Sequence, residues 1–181
     1  MLGQGDSKVE DANLHVIHLD QDDPRKCTAR KLHSMGLVQL HESVTAAPRR
    51  GYLLDPLSET ILSREDSELI SIGGSIVVLD CSWKKVAQSL EGVLENSRLE
   101  SRVLPLLLPA NPTSWGKVGR LTSAEAIGAT LAILGYWDQA ERILRHFKFG
   151  KEFIELNLEP LKSYSNASTR EQVAYLQKEF F

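Results

Sequence analysis

The run Ile76-Val77-Val78-Leu79-Asp80 constrains what this chain can fold into more than any other stretch. Aliphatic and β-branched side chains follow one another without polar alternation. That is the pattern of a strand buried on both faces, most often in a parallel sheet. The run ends on a carboxylate and passes into Cys81-Ser82-Trp83. Ser82 is placed to cap a following helix whose apolar positions Val86, Leu90, Val93 and Leu94 recur at i, i+4, i+7 and i+8. Asp80 and Trp83 therefore fall at a strand-to-helix corner, and in open α/β sheets ligands bind outside the carboxyl ends of strands. Two readings stand here: a capping acid beside a packed indole, or an acid and an indole that hold a ligand.

Around this anchor the chain has a βαβ rhythm up to about residue 108. Leu14 to Leu19 reads as a first strand, the acidic turn Asp20-Gln21-Asp22-Asp23-Pro24 follows, and Thr28 to Met35 forms a short helix that Gly36 stops. A strand over Gly51 to Leu54 is broken by Asp55-Pro56. Ser63-Arg64-Glu65-Asp66 opens a helix with Leu69, Ile70 and Ile72 on its apolar side, which Gly73-Gly74 ends. The apolar segment Arg102 to Leu108 carries Pro105, which removes a ladder donor and places it at an edge or makes it short.

From Pro109 onward the period is helical throughout. Thr122-x-x-Glu125 is a capping box opening a buried helix that Gly135 stops. Asp138 to Phe147 is amphipathic, Gly150 to Leu158 is a further helix ending before Pro160, and Ser168-x-x-Glu171 is a second capping box for a last helix. The expected organisation is an α/β domain over 1–108 and an all-helical domain over 109–181.

At 181 residues, 42% hydrophobic and 25% charged, the composition is that of an ordinary globular protein. No apolar run approaches membrane-spanning length, and Met1 to Ala12 lacks the basic flank and apolar core of a secretion signal, so a cytoplasmic protein with a frayed start is expected. Cys27 and Cys81 match neither a metal-ligand pattern nor a disulfide framework, and they read as buried thiols. His15, His18, His33, His41 and His146 are scattered. His15 and His18 sit on opposite strand faces, so packed or surface roles are expected rather than a shared metal.

The net charge of −3 gives no reason to expect a nucleic acid, but its distribution does. Between Pro24 and Tyr52 lie Arg25, Lys26, Arg30, Lys31, Arg49 and Arg50 against a single acid, Glu42. Such a cluster is either a solvated face or a track for phosphates. Gly-x-Gly-x-x-Gly, Walker, His-Glu-x-x-His and nucleophile-elbow motifs are all lacking. The segment from Leu104 to Lys117 brackets Asn111 and Trp115 between prolines and Gly116. It is too rigid and too aromatic for a linker, and reads as a shaped binding loop with an exposed tryptophan.

These residues carry a resemblance. Asp22-Asp23-Pro24-Arg25-Lys26-Cys27-Thr28, then Asp80-Cys81-Ser82-Trp83, Leu104-Pro105, Ala110-Asn111-Pro112 with Gly116-Lys117, and Leu121-Thr122-Ser123 with Glu125-Ala126 resemble, in this order, the small-subunit rRNA aminocarboxypropyltransferases of ribosome biogenesis. A compact archaeal-type member fits best. The resemblance implies a SPOUT-like α/β fold with a parallel sheet and a deep trefoil knot, completed by an all-helical C-terminal domain. It implies a monomer that uses S-adenosylmethionine and no metal. The implied reaction moves the 3-amino-3-carboxypropyl group to N3 of a pseudouridine, N1-methylated in eukaryotes, in small-subunit rRNA, leaving 5′-methylthioadenosine.

By position, the implied cofactor contacts are Thr28, Leu79, Asp80, Trp83, Leu104, Gly119 and Ser123, with Leu79, Leu104 and Gly119 acting through backbone groups. Ser123 lies at a helix start, where free N–H groups and the dipole favour polar or anionic parts of a ligand. Asp80 and Trp83 would carry the chemistry. An indole beside the sulfonium gains cation–π stabilisation and, with Val86, walls in the methyl group, so that the amino-acid arm faces the RNA. Asp80 either holds the cofactor's ammonium or takes the N3 proton; the first is favoured, because a carboxylate paired with an ammonium is a poor base. Trp115 stands where the family loop has tyrosine, Pro109 where alanine is common, and Val118-Gly119 where proline and an aromatic are usual. With the resemblance, the basic stretch reads as a track for rRNA phosphates. A methyltransferase of the same knotted class and a non-catalytic rRNA-binding assembly factor are the competing readings.

Overall fold

The computed structural model describes residues 9–19 and 27–181; the acidic turn 20–24 and the basic pair Arg25 and Lys26 lie outside the described residues, as does the start of the chain over 1–8. Among the described residues five strands make one parallel sheet: β1 Asn13–His18, β2 Gln39–His41, β3 Gly51–Leu54, β4 Ser75–Asp80 and β5 Glu100–Arg102. Their order is β2-β1-β4-β3-β5 and every pairing is parallel. The helices are α1 Thr28–Ser34, α2 Ser67–Ser71, α3 Val86–Asn96, α4 Ser123–Leu134, α5 Trp137–Leu144, α6 Gly150–Leu156, α7 Leu158–Asn166 and α8 Arg170–Phe180.

The aliphatic run forms the central strand, β4, paired with β1 over its whole length from Asn13↔Ser75 to His18↔Asp80. Alternation sorts its side chains between two layers. Ile76 and Val78 join Leu14, Val16, Tyr52 and Leu54 against residues of α1 and α4 to α8. Val77 and Leu79 join Ile17 and Leu53 against Leu90 and Val93 of α3. Val16, Ile17, Leu53 and Val77 are fully buried, and each such side chain contributes about 1.5–3 kcal/mol of transfer free energy. Asp80 shares the parity of Ile76 and Val78, so it ends the strand on the side of α1 and α4. The larger core cluster runs from Ala12 to Val173, so the change of composition near residue 108 has one core on both sides of it.

α4 is the second organising element. Its capping box forms as the sequence indicates, with Thr122 Oγ1 accepting from the Glu125 N–H at 3.2 Å and Glu125 Oε2 accepting from the Thr122 N–H at 2.9 Å. Ala124 to Leu134 are buried apart from Ala126, and Gly135 stops the helix at φ +97°, a left-handed conformation that a side chain would strain.

Several boundaries differ from the sequence reading. Ser82 does not cap α3. A turn closed by the Lys85 N–H on the Ser82 carbonyl at 3.0 Å intervenes, and the helix begins at Val86. The last strand is Glu100–Arg102 with one bridge at Val103, rather than Arg102 to Leu108, and it lies at the sheet edge. The helix from Gly150 ends at Leu156, and Pro160 occupies the first turn of α7, where its missing N–H costs nothing. The cap of α8 is Thr169 accepting from Gln172, one residue beyond the Ser168/Glu171 reading. Ile72 is 59% exposed, so the apolar side of α2 consists of buried Ile70 and of Leu69, partly buried and packed against the core. β2 carries no strand signal, since three residues are too few to show a period.

β2 meets β1 through a histidine pair. His15 Nδ1 and His41 Nε2 lie 2.9 Å apart with the rings stacked. Burial, reinforced by His41, lowers the His15 pKa to about 4, and burial lowers that of His41 as well. The unfolded chain therefore binds protons that the folded chain refuses. Stability is full above about pH 6.5 and is expected to fall as pH drops from 6.5 toward 4. Denaturant titrations at stepped pH should show this slope, and His15→Leu should flatten it.

Candidate functional site

Thr28, Leu79, Asp80, Trp83, Leu104, Gly119 and Ser123 all line one cavity of about 310 Å³. The cavity lies beyond the C-terminal ends of β3, β4 and β5, where Leu54, Asp80 and Val103 reach it, and its volume falls within the range of small-molecule sites. Thr28 is the first residue of α1 and Ser123 the first of α4, so two helix starts meet the end of β4. Trp83, Val86 and Leu90 wall one side.

Asp80 is held on both oxygens. Ser123 Oγ donates to Oδ1 at 2.9 Å, the Cys27 thiol donates to Oδ2 at 3.3 Å, and His18 Nδ1 lies 3.3 Å from the same atom. Cys27 caps α1, its sulfur accepting from the Arg30 N–H at 3.4 Å. Burial pushes the Cys27 thiol above its ordinary pKa; the Arg30 N–H opposes this and the Asp80 carboxylate reinforces it. The sulfur is therefore a thiol that donates, not a nucleophile. Trp83 is anchored by its indole N–H on the Leu121 carbonyl at 3.1 Å, with the Arg120 guanidinium 5.7 Å from the ring centroid.

The far wall is the loop from Leu104 to Thr122. Buried Glu125 accepts the N–H groups of Ala110 and Asn111 at 2.9 and 3.2 Å with the oxygen its capping box leaves over. Asn157 of the α6–α7 junction pairs with both backbone groups of Leu108 at 2.8 Å. The Gly119 N–H donates to the Leu107 carbonyl at 2.8 Å with φ +78°, which requires glycine although a Cβ there would meet only the Leu106 side chain, at an ordinary 3.7 Å. Trp115 is 67% exposed on this loop.

The fold divides the basic stretch. Arg30 and Lys31 are exposed in the first turn of α1, next to Thr28. Arg49 and Arg50 are exposed too, but they precede β3, whose opposite end reaches the cavity, so about 13 Å of strand separates them from it. His18 and Cys27 were not assigned to a site from sequence. The pairing of β1 with β4 sets His18 beside Asp80, and Cys27 directly precedes Thr28. Arg120, against Trp83, is a further cation that sequence reading missed.

His18, Cys27 and Asp80 each offer one ligand atom, all within 4.8 Å of one another. This is a three-donor set with one sulfur, which burial favours in its thiol form.

A parallel sheet with a ligand-sized cavity beyond its strand ends, roofed by a helical C-terminal half, defines the class. Residues 52–181 match the family described as "Ribosome biogenesis protein, C-terminal". Proteins named 16S rRNA aminocarboxypropyltransferase are 40% identical in Methanosarcina mazei, over 96% of this chain and 98% of the relative, and 41% identical in Methanothermobacter thermautotrophicus, over 91% and 96%. The solved SAM-dependent rRNA:acp-transferase Tsr3 from Vulcanisaeta distributa superposes with a TM-score of 0.80 at 32% identity, covering 93% of this chain and 97% of that one. The chain belongs to this family of ribosome biogenesis aminocarboxypropyltransferases. Residues 13–43 also match "Possible Fer4-like domain in RNase L inhibitor, RLI". The residues do not fit that group: an iron–sulfur cluster takes four thiolates, and the whole chain has two cysteines, of which only Cys27 lies in the segment.

Proposed function

We propose that this protein transfers the 3-amino-3-carboxypropyl group of S-adenosylmethionine to N3 of a pseudouridine, plain or N1-methylated, in small-subunit rRNA. The observation that carries the reading is the convergence of Asp80, Trp83 and the five other cofactor positions on one cavity, in a chain of this family. In the reaction the N3–carbon bond forms as the carbon–sulfonium bond breaks. The electron pair goes to sulfur, leaving neutral 5′-methylthioadenosine, and the N3 proton passes to solvent.

Asp80, directed by Ser123, Cys27 and His18, would hold the cofactor's ammonium. Trp83 would lie against the sulfonium, and with Val86 it would shut the methyl group away from the RNA. Backbone groups of Leu79, Leu104 and Gly119 would take adenine and ribose, and Thr28 and Ser123 the polar end. Arg30 and Lys31 would meet phosphates at the cavity; Arg49 and Arg50 would reach only RNA that continues past the sheet. Arg25 and Lys26 belong to the same basic track by sequence. We also infer a trefoil-knotted chain acting as a monomer in the cytoplasm without a metal. Among the described residues no helix is long and apolar enough to cross a membrane.

Incubation with substrate rRNA and cofactor labelled separately in the methyl and carboxyl carbons tests the reaction. Carboxyl label is expected in the RNA, at the same yield in EDTA. Methyl label would make the protein a methyltransferase, and label in neither form would leave an rRNA-binding assembly factor.

A further inference from the structure

A second cavity of about 310 Å³ lies behind the first, and Thr28 and Thr122 line both. Its other walls come from α1, α4 and the turn between α5 and α6. Lys31, Phe147, Lys148 and Phe149 line it together with Asn111. Both lysines are ordered over aromatic rings: Lys31 Nζ sits 4.8 Å from the Phe147 centroid and Lys148 Nζ 5.2 Å from that of Phe149. Lys31 also donates to the His146 carbonyl, which ties α1 to this turn. Phe147 and Phe149 are half-buried, and Lys31 and Lys148 are exposed. The proposed transfer uses none of Phe147, Lys148 and Phe149.

Two phenylalanine rings, each with a lysine ammonium over it, and an asparagine amide and threonine hydroxyls within the same walls form a site for one nucleotide: the base takes the place of the ammonium groups on the rings, and these exposed lysines turn to its phosphates. N3 lies on the pairing edge of a uracil-type base. A reaction there needs the base out of its pair and out of the stack, and enzymes that do chemistry on a base hold it in a pocket of its own. Asp80 meets Ser123 and Cys27, the chain neighbours of Thr122 and Thr28, so a cofactor with its ammonium on Asp80, as proposed above, would have its amino-acid end toward the two threonines that line both cavities. We propose that the second cavity receives the flipped target nucleotide of the rRNA, Phe147 and Phe149 stacking its base and Lys31 and Lys148 meeting its flanking phosphates. This rests on the transferase reading above and names the substrate side of that site.

The test compares the full-length protein with Lys148→Ala, Phe149→Ala and Phe149→Trp, using an rRNA hairpin that carries the target. Cofactor affinity, measured by calorimetry, is expected to stay within twofold of wild type for all three, because these residues line only the second cavity. In RNA binding followed by fluorescence anisotropy across a salt series, Lys148→Ala should lower the slope of log affinity against log salt by about one. Phe149→Ala should raise the KM for RNA about tenfold or more, as expected when one base–aromatic stack is lost, and Phe149→Trp should restore it. Lys148 is exposed, so its variant reports even where Phe149→Ala disturbs packing. Wild-type salt slope in Lys148→Ala together with wild-type KM in Phe149→Ala would overturn the proposal. An enzyme that places no carboxyl label in RNA would overturn the transferase reading instead, and the binding slopes would still decide whether this cavity holds RNA.

Discussion

Trp83→Ala is expected to weaken S-adenosylmethionine binding by about 30-fold or more, with little change in thermal stability. A cation lying on a desolvated indole gains about 2 kcal/mol, which is close to 30-fold in affinity before any loss of the cavity wall is counted. The ring is only partly covered by protein, so truncating it removes less core than a buried aromatic would. Its plane is set in advance by the N–H bond to Leu121 and by Arg120, so little ordering remains to be done when the ligand arrives. Trp83→Phe keeps a ring but loses the bond to Leu121, and should fall between alanine and wild type. Isothermal titration of the three proteins decides the matter: equal affinities would return the indole to a packing role and remove the sulfonium contact from the mechanism.

What could be read in the sequence was what short-range chemistry encodes. The run Ile76 to Asp80 became the central strand because a double-sided aliphatic segment has no other stable place. Thr122 and Glu125 became a capping box because both partners of each hydrogen bond lie within four residues. The corner between them could be placed for the same reason, and the cavity lines that corner.

The misses come from effects with no local signature. β2 is three residues long and owes its conformation to β1. α7 was hidden by Pro160, which forbids a helix interior but suits a first turn. His18 and Cys27 are joined to Asp80 across 62 and 53 positions of chain, so neither carries a local mark of its partner. Arg49 and Arg50 look continuous with Arg30 and Lys31 in the sequence, yet a parallel strand carries the chain from one end of the sheet to the other between Arg50 and the cavity. Charge density along a sequence does not specify a face; the sheet assigns it.

The same long-range logic sets the largest expected loss of stability, which lies away from the cavity. Asp66 is almost wholly buried and meets two guanidinium groups: Arg102 Nε at 2.9 Å on Oδ1, and Arg170 at 3.2 Å on Oδ1 and 3.1 Å on Oδ2. Oδ2 also accepts the Ser63 N–H at 3.1 Å. Arg102 ends the edge strand β5 and Arg170 opens the last helix α8, so one carboxylate fastens the helical half to the sheet. Asp66→Ala leaves two cations, with 11% and 26% of their side chains exposed, without their shared counter-charge. Breaking a buried pair in this way costs about 3–5 kcal/mol. For a chain of this length that is a fall in melting temperature on the order of 10 °C. Asp11, whose pair with Arg142 is about half exposed on both sides, is the control; Asp11→Asn should cost under about 1 kcal/mol. Below its own melting transition, Asp66→Ala should still bind S-adenosylmethionine within about threefold of wild type, since no atom of Asp66 lines the cavity. Differential scanning calorimetry paired with titration separates the two effects. A melting temperature within a degree or two of wild type would show that Glu100, Ser101 and Tyr52, which still meet Arg102, and Ile61 and Ser63, which still meet Arg170, suffice to hold the halves together.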